Sequence, residues 1–373
     1  MREAELARFS RRVEFHRALS KAVHEHFRKS EDGNANSAAA YLKSAIIAGA
    51  AILCYVAYLL LPMSLPTVIA LAVLFGFVLA GIGFNVHHDG GHRSFSRWRV
   101  INRLAAFSLD LLGGSSYIWR WKHNVFHHTF PNVDGADPDI DFPSIARFAP
   151  AQTRRAVHRY QHYYLWLLYP LVPIRWHFFN DFHVLLTGRS GKHRVPRPRG
   201  SEVAILIAGK VIFFMLAFGL PATLLPWPTV LLFYAVSSLT LGCILTVVFQ
   251  LGHCVIGTSF VTTAETIEEE WAIHQMRTTA DFAPRSPTLT WYLGGLNFQV
   301  EHHLFPGVPH VHYPALAPIV ERIARQHGVP YMSHATLWQA IQSHYRLLKL
   351  RGRSDGQLSE ERVPAREQIA RGV

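Results

Sequence analysis

The chain has 373 residues, of which 50% are hydrophobic and only 17% are charged, whereas an average soluble domain carries about a quarter charged residues. With a mean hydropathy of +0.12, this composition predicts an integral membrane protein. The net charge of +12 would suit a nucleic-acid-binding protein, but its distribution along the chain has another explanation, given below. Three cysteines are too few for a disulfide framework.

The first forty residues are polar and charged, and they lack the apolar core of a signal peptide. Within them, residues 6–27 predict a basic amphipathic helix. Such a helix either lies on an anionic membrane surface or is solvated. We therefore treat residues 1–40 as an N-terminal amphipathic segment, separate from a membrane domain at 41–350 and from a polar, disordered tail at 351–373.

Four segments are long and apolar enough to cross a bilayer, which takes about 20 residues. They are residues 41–61, 66–84, 203–225 and 229–249. Because the connectors at 62–65 and 226–228 are so short, the four segments form two helical hairpins. The sequence thus predicts an all-α integral membrane protein with four transmembrane helices, and these spans are expected to lack charged residues.

The distribution of basic residues predicts the orientation. Neither short connector contains Lys or Arg, whereas nine such residues lie at or before Lys43 and sixteen lie between Arg93 and Arg199. The positive-inside rule then places both termini and the long loop in the cytoplasm. The basic excess meets anionic lipid headgroups, so nucleic acid is not an expected partner.

Two further segments of the long loop are apolar but make poor spans. Residues 101–118 contain Asp110 and a run of small residues, and residues 160–179 are interrupted by Pro170 and Pro173. We interpret both as interfacial or half-inserted helices.

Clustered histidines are the unusual feature of the composition. Eight of the 23 fall in four groups near the predicted cytoplasmic ends of the spans: His88 and His92; His123, His127 and His128; His253; His302 and His303. Two groups contain histidines four residues apart, which share one face of a helix. His87 stays open, because it neighbours the first pair but faces away from it. The other histidines are interpreted as surface, packing or loop-shaping residues, and this includes His310 and His312.

Eight imidazoles exceed what one ion can hold, so the pattern predicts two metal ions in a histidine-rich helical cap. Imidazole suits iron, zinc, copper and nickel alike. Nearby carboxylates are better placed to accept hydrogen bonds from ring N–H groups, and they are Asp89, Asp137, Asp139, Asp141 and Glu301. Three amides can orient a metal-bound water: Asn124, Asn297 and Gln299.

The motifs themselves resemble the membrane fatty-acid desaturase family. They are HDGGH at 88–92, HNVFHH at 123–128 with Pro131-Asn132 after it, HQMRTTADF at 274–282 and GGLNFQVEHHLFP at 294–306. The resemblance covers roughly residues 87–331 and the preceding hairpin. Other branches of the family have histidine at the position of Gln299, and glutamine there is similar to front-end and related acyl desaturases. The resemblance leaves three roles open for Gln299, which are a weak ligand, a holder of water and an orienting group.

The resemblance implies four spans, a cytoplasmic cap, two irons held by the eight histidines and O2 as co-substrate. The implied substrate is a fatty-acyl group on CoA or on a lipid. Because the sequence contains no His-Pro-Gly-Gly haem motif, the implied electron donor is a separate protein of the ferredoxin or cytochrome b5 type.

Removing hydrogens from unactivated methylenes is beyond side-chain acids and bases, so the protein is expected to supply an apolar tunnel that orients the chain. The expected walls are the ends of spans two and four and residues 101–121. Residues 119–122 are candidates for the mouth of the tunnel or for interfacial anchors. Alternatives are a di-iron hydroxylase of the same superfamily, a divalent-metal transporter and a zinc hydrolase, although no His-Glu-x-x-His motif occurs.

Overall fold

A computed structural model of the protein describes residues 9–29, 38–142, 144–262 and 267–353. Four helices in these ranges are long and apolar enough to cross a membrane, which confirms the predicted number and pairing of spans. We call them spans one to four, and they are Ala38–Leu60, Leu65–His92, Ser201–Leu224 and Trp227–His253. The rest of the predicted tail, beyond Arg353, lies outside the described residues.

Spans two and four are longer than hydropathy predicts, because each continues into a histidine group. Span two passes through a π-helical turn at Gly83–His87 and then an α-helical turn at His88–His92. It ends where Arg93 adopts a left-handed conformation with φ of 61°. Span four runs without a break to His253. His88, His92 and His253 therefore lie at the ends of membrane helices, because helical hydrogen bonding continues where the apolar composition stops.

Small residues bring spans two and four together. A Cβ atom placed on Gly76 would overlap the Ser237 carbonyl oxygen, so the two backbones touch at this point. Close approach at small residues is the usual way in which membrane helices pack. Beside this contact, the ring of Tyr58 from span one stacks on Phe233 with centroids 3.7 Å apart. The packing fixes the two histidine-bearing helix ends relative to each other.

The expectation that the spans lack charged residues is wrong. Lys43 lies in span one and Lys210 in span three, and both are buried. The Nζ atom of Lys210 donates to Asp181 Oδ2 at 2.7 Å and to the Gly113 carbonyl at 2.6 Å. Each lysine is tolerated because the protein supplies polar partners within reach, as buried charge requires.

The two poor spans consist of short, broken helices, and their predicted interfacial or half-inserted position stays a prediction. The first contains Arg99–Leu111, Ser116–Trp119 and a π-helical segment, Arg120–His127. The second changes helix type repeatedly around its two prolines. Its parts are Ala156–Tyr160, Gln161–Leu168, Tyr169–Leu171, Val172–Arg175, Trp176–Asn180 and Asp181–Thr187.

The other elements form a cap at the histidine-bearing end of the spans. Its helices are Trp271–Thr278, Pro287–Tyr292, Gln299–Leu304, His310–His312, Tyr313–Gln326 and Leu337–Arg353. Three two-stranded pairings complete the described part: Val133–Asp134 with Val261–Thr262, Arg189–Ser190 with His193–Arg194, and Asp281–Phe282 with Ser333–His334.

The N-terminal amphipathic helix is Glu14–Lys29, and it belongs to this cap. Its apolar side chains Phe15, Leu19 and Val23 are buried, and the first two pack in a core with Met276 of the cap. The Glu270 carboxylate accepts hydrogen bonds from the Phe15 and His16 backbone amides, at 3.1 and 2.6 Å. The apolar face is thus covered by protein and is not available for insertion into a bilayer.

Candidate metal centre

The fold brings all eight clustered histidines into one buried site. Each supplies a ring nitrogen to at least one group whose nitrogen atoms lie within 4.8 Å of one another. The groups are His88, His92, His123 and His302; His127, His253 and His303; and His128, His302 and His303. Residues from spans two and four, from the long loop and from the cap therefore meet at one place. Their grouping suits two ions rather than one.

The spacing of the ring nitrogens fits bound metal. Nε2 of His127 lies 3.2 Å from Nε2 of His253, and Nε2 of His128 lies 3.2 Å from Nε2 of His123. Two nitrogens that each bind one ion at about 2.1 Å, with roughly tetrahedral or right angles between the bonds, are about 3.0–3.4 Å apart. Facing lone pairs repel unless a proton or a cation lies between them. A metal ion bound between the two nitrogens of each pair would explain their spacing and remove this repulsion.

Several ring nitrogens of these histidines have no hydrogen-bond partner among the described residues. They are Nε2 of His88, His92, His302 and His303, and Nδ1 of His128. Buried polar atoms are rarely left unpaired in folded proteins. The donor set is neutral imidazole, which binds iron and other first-row metals, so the residues present fit the pair of irons that the resemblance implies.

Burial keeps most of these rings in the form that binds metal. Desolvation lowers the pKa of His123, His128, His302 and His303 well below the usual value, and the neighbouring rings lower it further. His127 is the exception. Burial opposes its charge, but the Asp137 carboxylate offsets that effect and the pKa of His127 is raised. Neutral imidazole carries the free lone pair that a metal requires.

Outer partners hold four of the rings. The Nδ1 atom of His127 faces Asp137 at 3.1 Å, which agrees with the predicted role of that carboxylate. The other partners are the Gln275 side-chain oxygen for His303 at 2.9 Å, the Tyr313 hydroxyl for His302 at 3.3 Å and the Thr278 carbonyl for His253 at 3.2 Å. Such contacts fix the tautomer and orientation of a ligand ring.

Sequence reasoning missed the partners of His303, His302 and His253, although the signal for two of them was present. Gln275 and Thr278 belong to the HQMRTTADF stretch that carries part of the family resemblance.

Asn132 follows the second histidine group. It has a φ of 57°, its backbone N–H donates to Asp137 at 2.9 Å, and its amide donates to the His253 carbonyl at 2.9 Å.

Two predicted carboxylates have other partners. Asp89 accepts a hydrogen bond from His310 Nδ1 at 2.6 Å, and His310 Nε2 lies 2.6 Å from Lys43 Nζ. His310 is therefore more than a loop-shaping residue. Glu301 pairs with the Tyr331 hydroxyl at 3.0 Å, and Tyr331 also donates to Asp281. Burial raises the pKa of Glu301, and Asp281 beside it raises it further.

Two of the three predicted amides contact the histidine groups or their backbone, and the third does not. Asn124 donates to the Gly91 carbonyl at 2.8 Å, which ties the second histidine group to the first. Gln299 donates to Leu296 at 2.7 Å and lies within hydrogen-bonding reach of His253. Asn297 instead donates to the Thr290 hydroxyl at 3.1 Å, in the loop before the last histidine group. Its predicted role at a metal-bound water stays a prediction.

Asp139 lies closest to the rings among the other acids, with Oδ2 3.7 Å from His127 Nδ1. A carboxylate oxygen of Asp139 also falls within 4.8 Å of ring nitrogens of both His123 and His127. Its other oxygen binds Lys122 Nζ at 2.6 Å. Asp141 borders the adjoining cavity.

That cavity has a volume of about 780 Å³ and is bordered by His123, His127 and His253. Its apolar walls come from span four, from the Arg99–Leu111 region and from the proline-broken segment, and include Leu109, Ile118, Leu165, Leu168, Leu245 and Phe249. The volume lies within the range of small-molecule sites.

The predicted walls need two corrections. The end of span two borders a neighbouring cavity of about 30 Å³ instead of the main one, and the proline-broken segment was not expected as a wall. Among the residues proposed for the mouth, Trp119 stacks on His123 with centroids 4.4 Å apart and so lies beside the rings. Arg120 pairs with Glu202 at 3.0 Å, and Lys122 borders the cavity.

The sequence is similar to known proteins over most of its length. The family described as fatty acid desaturase matches residues 62–335. An sn-1 linoleoyl-lipid 6-desaturase of Synechocystis sp. is 34% identical over 358 residues, which cover 95% of this chain and 100% of the relative. The chain belongs to the fatty-acid desaturase family. In the same family, this desaturase is 33% identical to an sn-1 linoleoyl-lipid 6-desaturase of Arthrospira platensis, over 91% of this chain and 93% of the relative.

An acyl-lipid (8-3)-desaturase of Physcomitrium patens is 36% identical to the desaturase over 92% of this chain and 73% of the relative. The predicted resemblance is confirmed, and the chain is an oxidoreductase of fatty-acid metabolism with a four-helix membrane fold. The transporter and the zinc hydrolase are no longer supported as interpretations.

Proposed function

We propose that this desaturase introduces a double bond into a fatty-acyl chain carried by a membrane lipid, with O2 as co-substrate, at two irons held by the eight histidines. The cavity carries this proposal, because its apolar walls lead directly to His123, His127 and His253. An alkyl chain is the natural ligand of such a cleft, since burial of its methylenes contributes about 0.8 kcal/mol each.

The histidines would divide between the two ions. His88, His92, His123 and His302 would hold one, His127, His253 and His303 the other, and His128 lies between the groups. A pair of irons bound there would supply the O2-dependent removal of two hydrogens from adjacent methylenes, a reaction that side chains cannot perform.

The protein's own part is to hold and orient. Asp137 and Gln275 fix the rings of His127 and His303 through their Nδ1 atoms, so that Nε2 of each ring faces the site. Gln299, next to His253, takes the role of an orienting amide. The apolar cavity positions one pair of methylenes and excludes water, which contributes through orientation.

The carrier of the acyl chain and the electron donor belong to the same proposal. The names of the three relatives specify acyl groups on lipids, which supports a lipid substrate over acyl-CoA. Electrons would come from a separate ferredoxin-type or cytochrome b5-type protein. The basic loop and termini support a cap on the cytoplasmic side of the membrane.

Expression in a host supplied with isotope-labelled fatty acid tests the proposal. We expect lipids of the host that expresses the wild-type enzyme to contain a product lacking two hydrogen atoms. The host that expresses His303→Ala should lack this product, and the purified variant should lack bound iron. His24→Ala is the matched control, because His24 is exposed on the N-terminal helix. A product that gains an oxygen atom instead would identify the hydroxylase alternative, and an unchanged product from His303→Ala would refute the ligand assignment.

A further inference from the structure

Polar residues also border the cavity, and we call Lys122, Asp139, Asp141 and the small hairpin with Arg189 and Ser190 its polar side. Lys122 and Asp139 form an ion pair, and Asp141 Oδ2 lies 3.2 Å from a Cβ atom placed on Gly191 of the hairpin. The hairpin is held in place by His193, whose Nε2 lies 2.6 Å from the Ala136 carbonyl oxygen. The side chains of Lys122 and Asp139 are 22% and 38% exposed. This side is therefore where an acyl chain would keep its polar end.

Lys122 is the cation of this polar side that lies beside the metal-binding rings. It directly precedes His123, and its Nζ binds Asp139 Oδ1 at 2.6 Å. The other oxygen of Asp139 is 3.7 Å from His127 Nδ1. A single carboxylate therefore separates the ammonium group from a ring that borders the cavity.

The chemistry of the ion pair selects among polar groups. An ammonium has three N–H donors, and the contact with Asp139 uses one of them. Because the carboxylate neutralises Lys122 and repels anions, the pair suits a neutral acceptor better than a phosphate. A carbonyl oxygen of an acyl ester or thioester has this chemistry.

Resting on the function proposed above, we propose that Lys122, oriented by Asp139, binds the carbonyl oxygen of the acyl substrate and so sets which carbons reach the irons. With the carbonyl fixed beside His123 and His127, only a few methylenes fit between it and the reacting carbons. The position of the new double bond is then measured from the carboxyl end of the chain. Lys122 and Asp139 are positioning residues in this scheme.

The test measures the position of the double bond by mass spectrometry of derivatised lipids, together with the iron content and KM of the purified enzyme. In Lys122→Met we expect iron content equal to wild type, a KM raised about ten-fold or more because a charged hydrogen bond is lost, and products with more than one bond position. Lys122→Arg keeps a donor with a different reach, and its product should have a shifted position or an intermediate KM.

Lys21→Met is the matched control, because Lys21 is exposed on the N-terminal helix Glu14–Lys29, away from the residues that border the cavity. Its product should equal that of the wild type. The inference is overturned if both Lys122 variants make the wild-type product with wild-type KM. Failure of the proposed function is a separate result, in which the wild type itself makes no unsaturated product. Labelled acyl-glycerolipid in vesicles and labelled acyl-CoA, assayed side by side, distinguish the two carbonyl sources.

Discussion

Replacing Asp137 by Asn should weaken metal binding while leaving the fold in place. Three donors converge on this carboxylate: the His127 ring N–H and the backbone amides of Asn132 and Asp139. The side chain is fully buried, so no water can replace a lost acceptor. Asparagine has the same shape but presents an N–H₂ donor where one carboxylate oxygen accepts.

The magnitude follows from these contacts. At least one donor is left facing another donor, and an unsatisfied buried group costs about 1–3 kcal/mol. If the ring of His127 is the group that loses its partner, its Nε2 is no longer held toward His253. Outer-partner substitutions of this kind reduce metal affinity or activity by about 10–100-fold, so we expect a loss of iron affinity in that range.

The assay is iron content per protein after dialysis against a graded chelator, with desaturation of a labelled acyl chain measured on the same samples. Asp141→Asn is the matched control, since it removes the same charge beside the same cavity and should retain wild-type iron. If Asp137→Asn held iron as tightly as the control and kept its activity, the argument that this hydrogen bond orients His127 would be refuted.

Three further predictions use other parts of the structure. Gln275→Leu leaves the His303 ring N–H unpaired, so we expect iron affinity to fall about 10–100-fold in the same chelator assay. Gly76→Ala forces a methyl group against the backbone of span four and should lower the free energy of unfolding by about 1–3 kcal/mol. Gly49→Ala is the control, because the space around Gly49 is open and its stability should not change. Thermal unfolding in detergent measures both. Burial raises the pKa of Asp110 to about 7. The folded state therefore holds a proton that the unfolded chain releases, so stability falls as pH rises from about 4 to 7. This carboxyl contributes at most about 4 kcal/mol to that fall, and Asp110→Asn should remove its contribution.

The spans could be predicted because each contains its own signal. Apolar length identifies a membrane helix without reference to any other part of the chain, and the four hairpin-forming helices lie within a few residues of their expected starts. The ends were less predictable. Span two continues through Gly83–His92 although its composition turns polar, because those side chains are buried in a site that hydropathy does not represent.

The site was predictable to the extent that its residues cluster in sequence. Eight histidines in four groups indicated a metal centre, and the fold brings all eight together. Their outer partners were predictable only where they are close in sequence, as Asp137 is to His127. Gln275 lies 28 residues from His303, and no local spacing relates the two. One wall of the cavity was missed for the same reason, since Leu165 and Leu168 reach it only through the path of the chain around Pro170.

Lys43 illustrates the limit most clearly. Local sequence presents a lone lysine near the start of an apolar span, and the simplest interpretation is a side chain that reaches out to the headgroups. The fold instead buries it, with Nζ at 2.6 Å from His310 and at 3.2 Å from the Trp291 carbonyl, and His310 in turn binds Asp89. The imidazole thereby joins a buried ammonium to a buried carboxylate, and removing His310 would leave both charges without their shared partner at a cost of several kcal/mol. Because Asp89 lies between the histidines of the first group, this contact across 267 residues attaches the metal centre to span one, and it becomes visible only when the three residues are seen together.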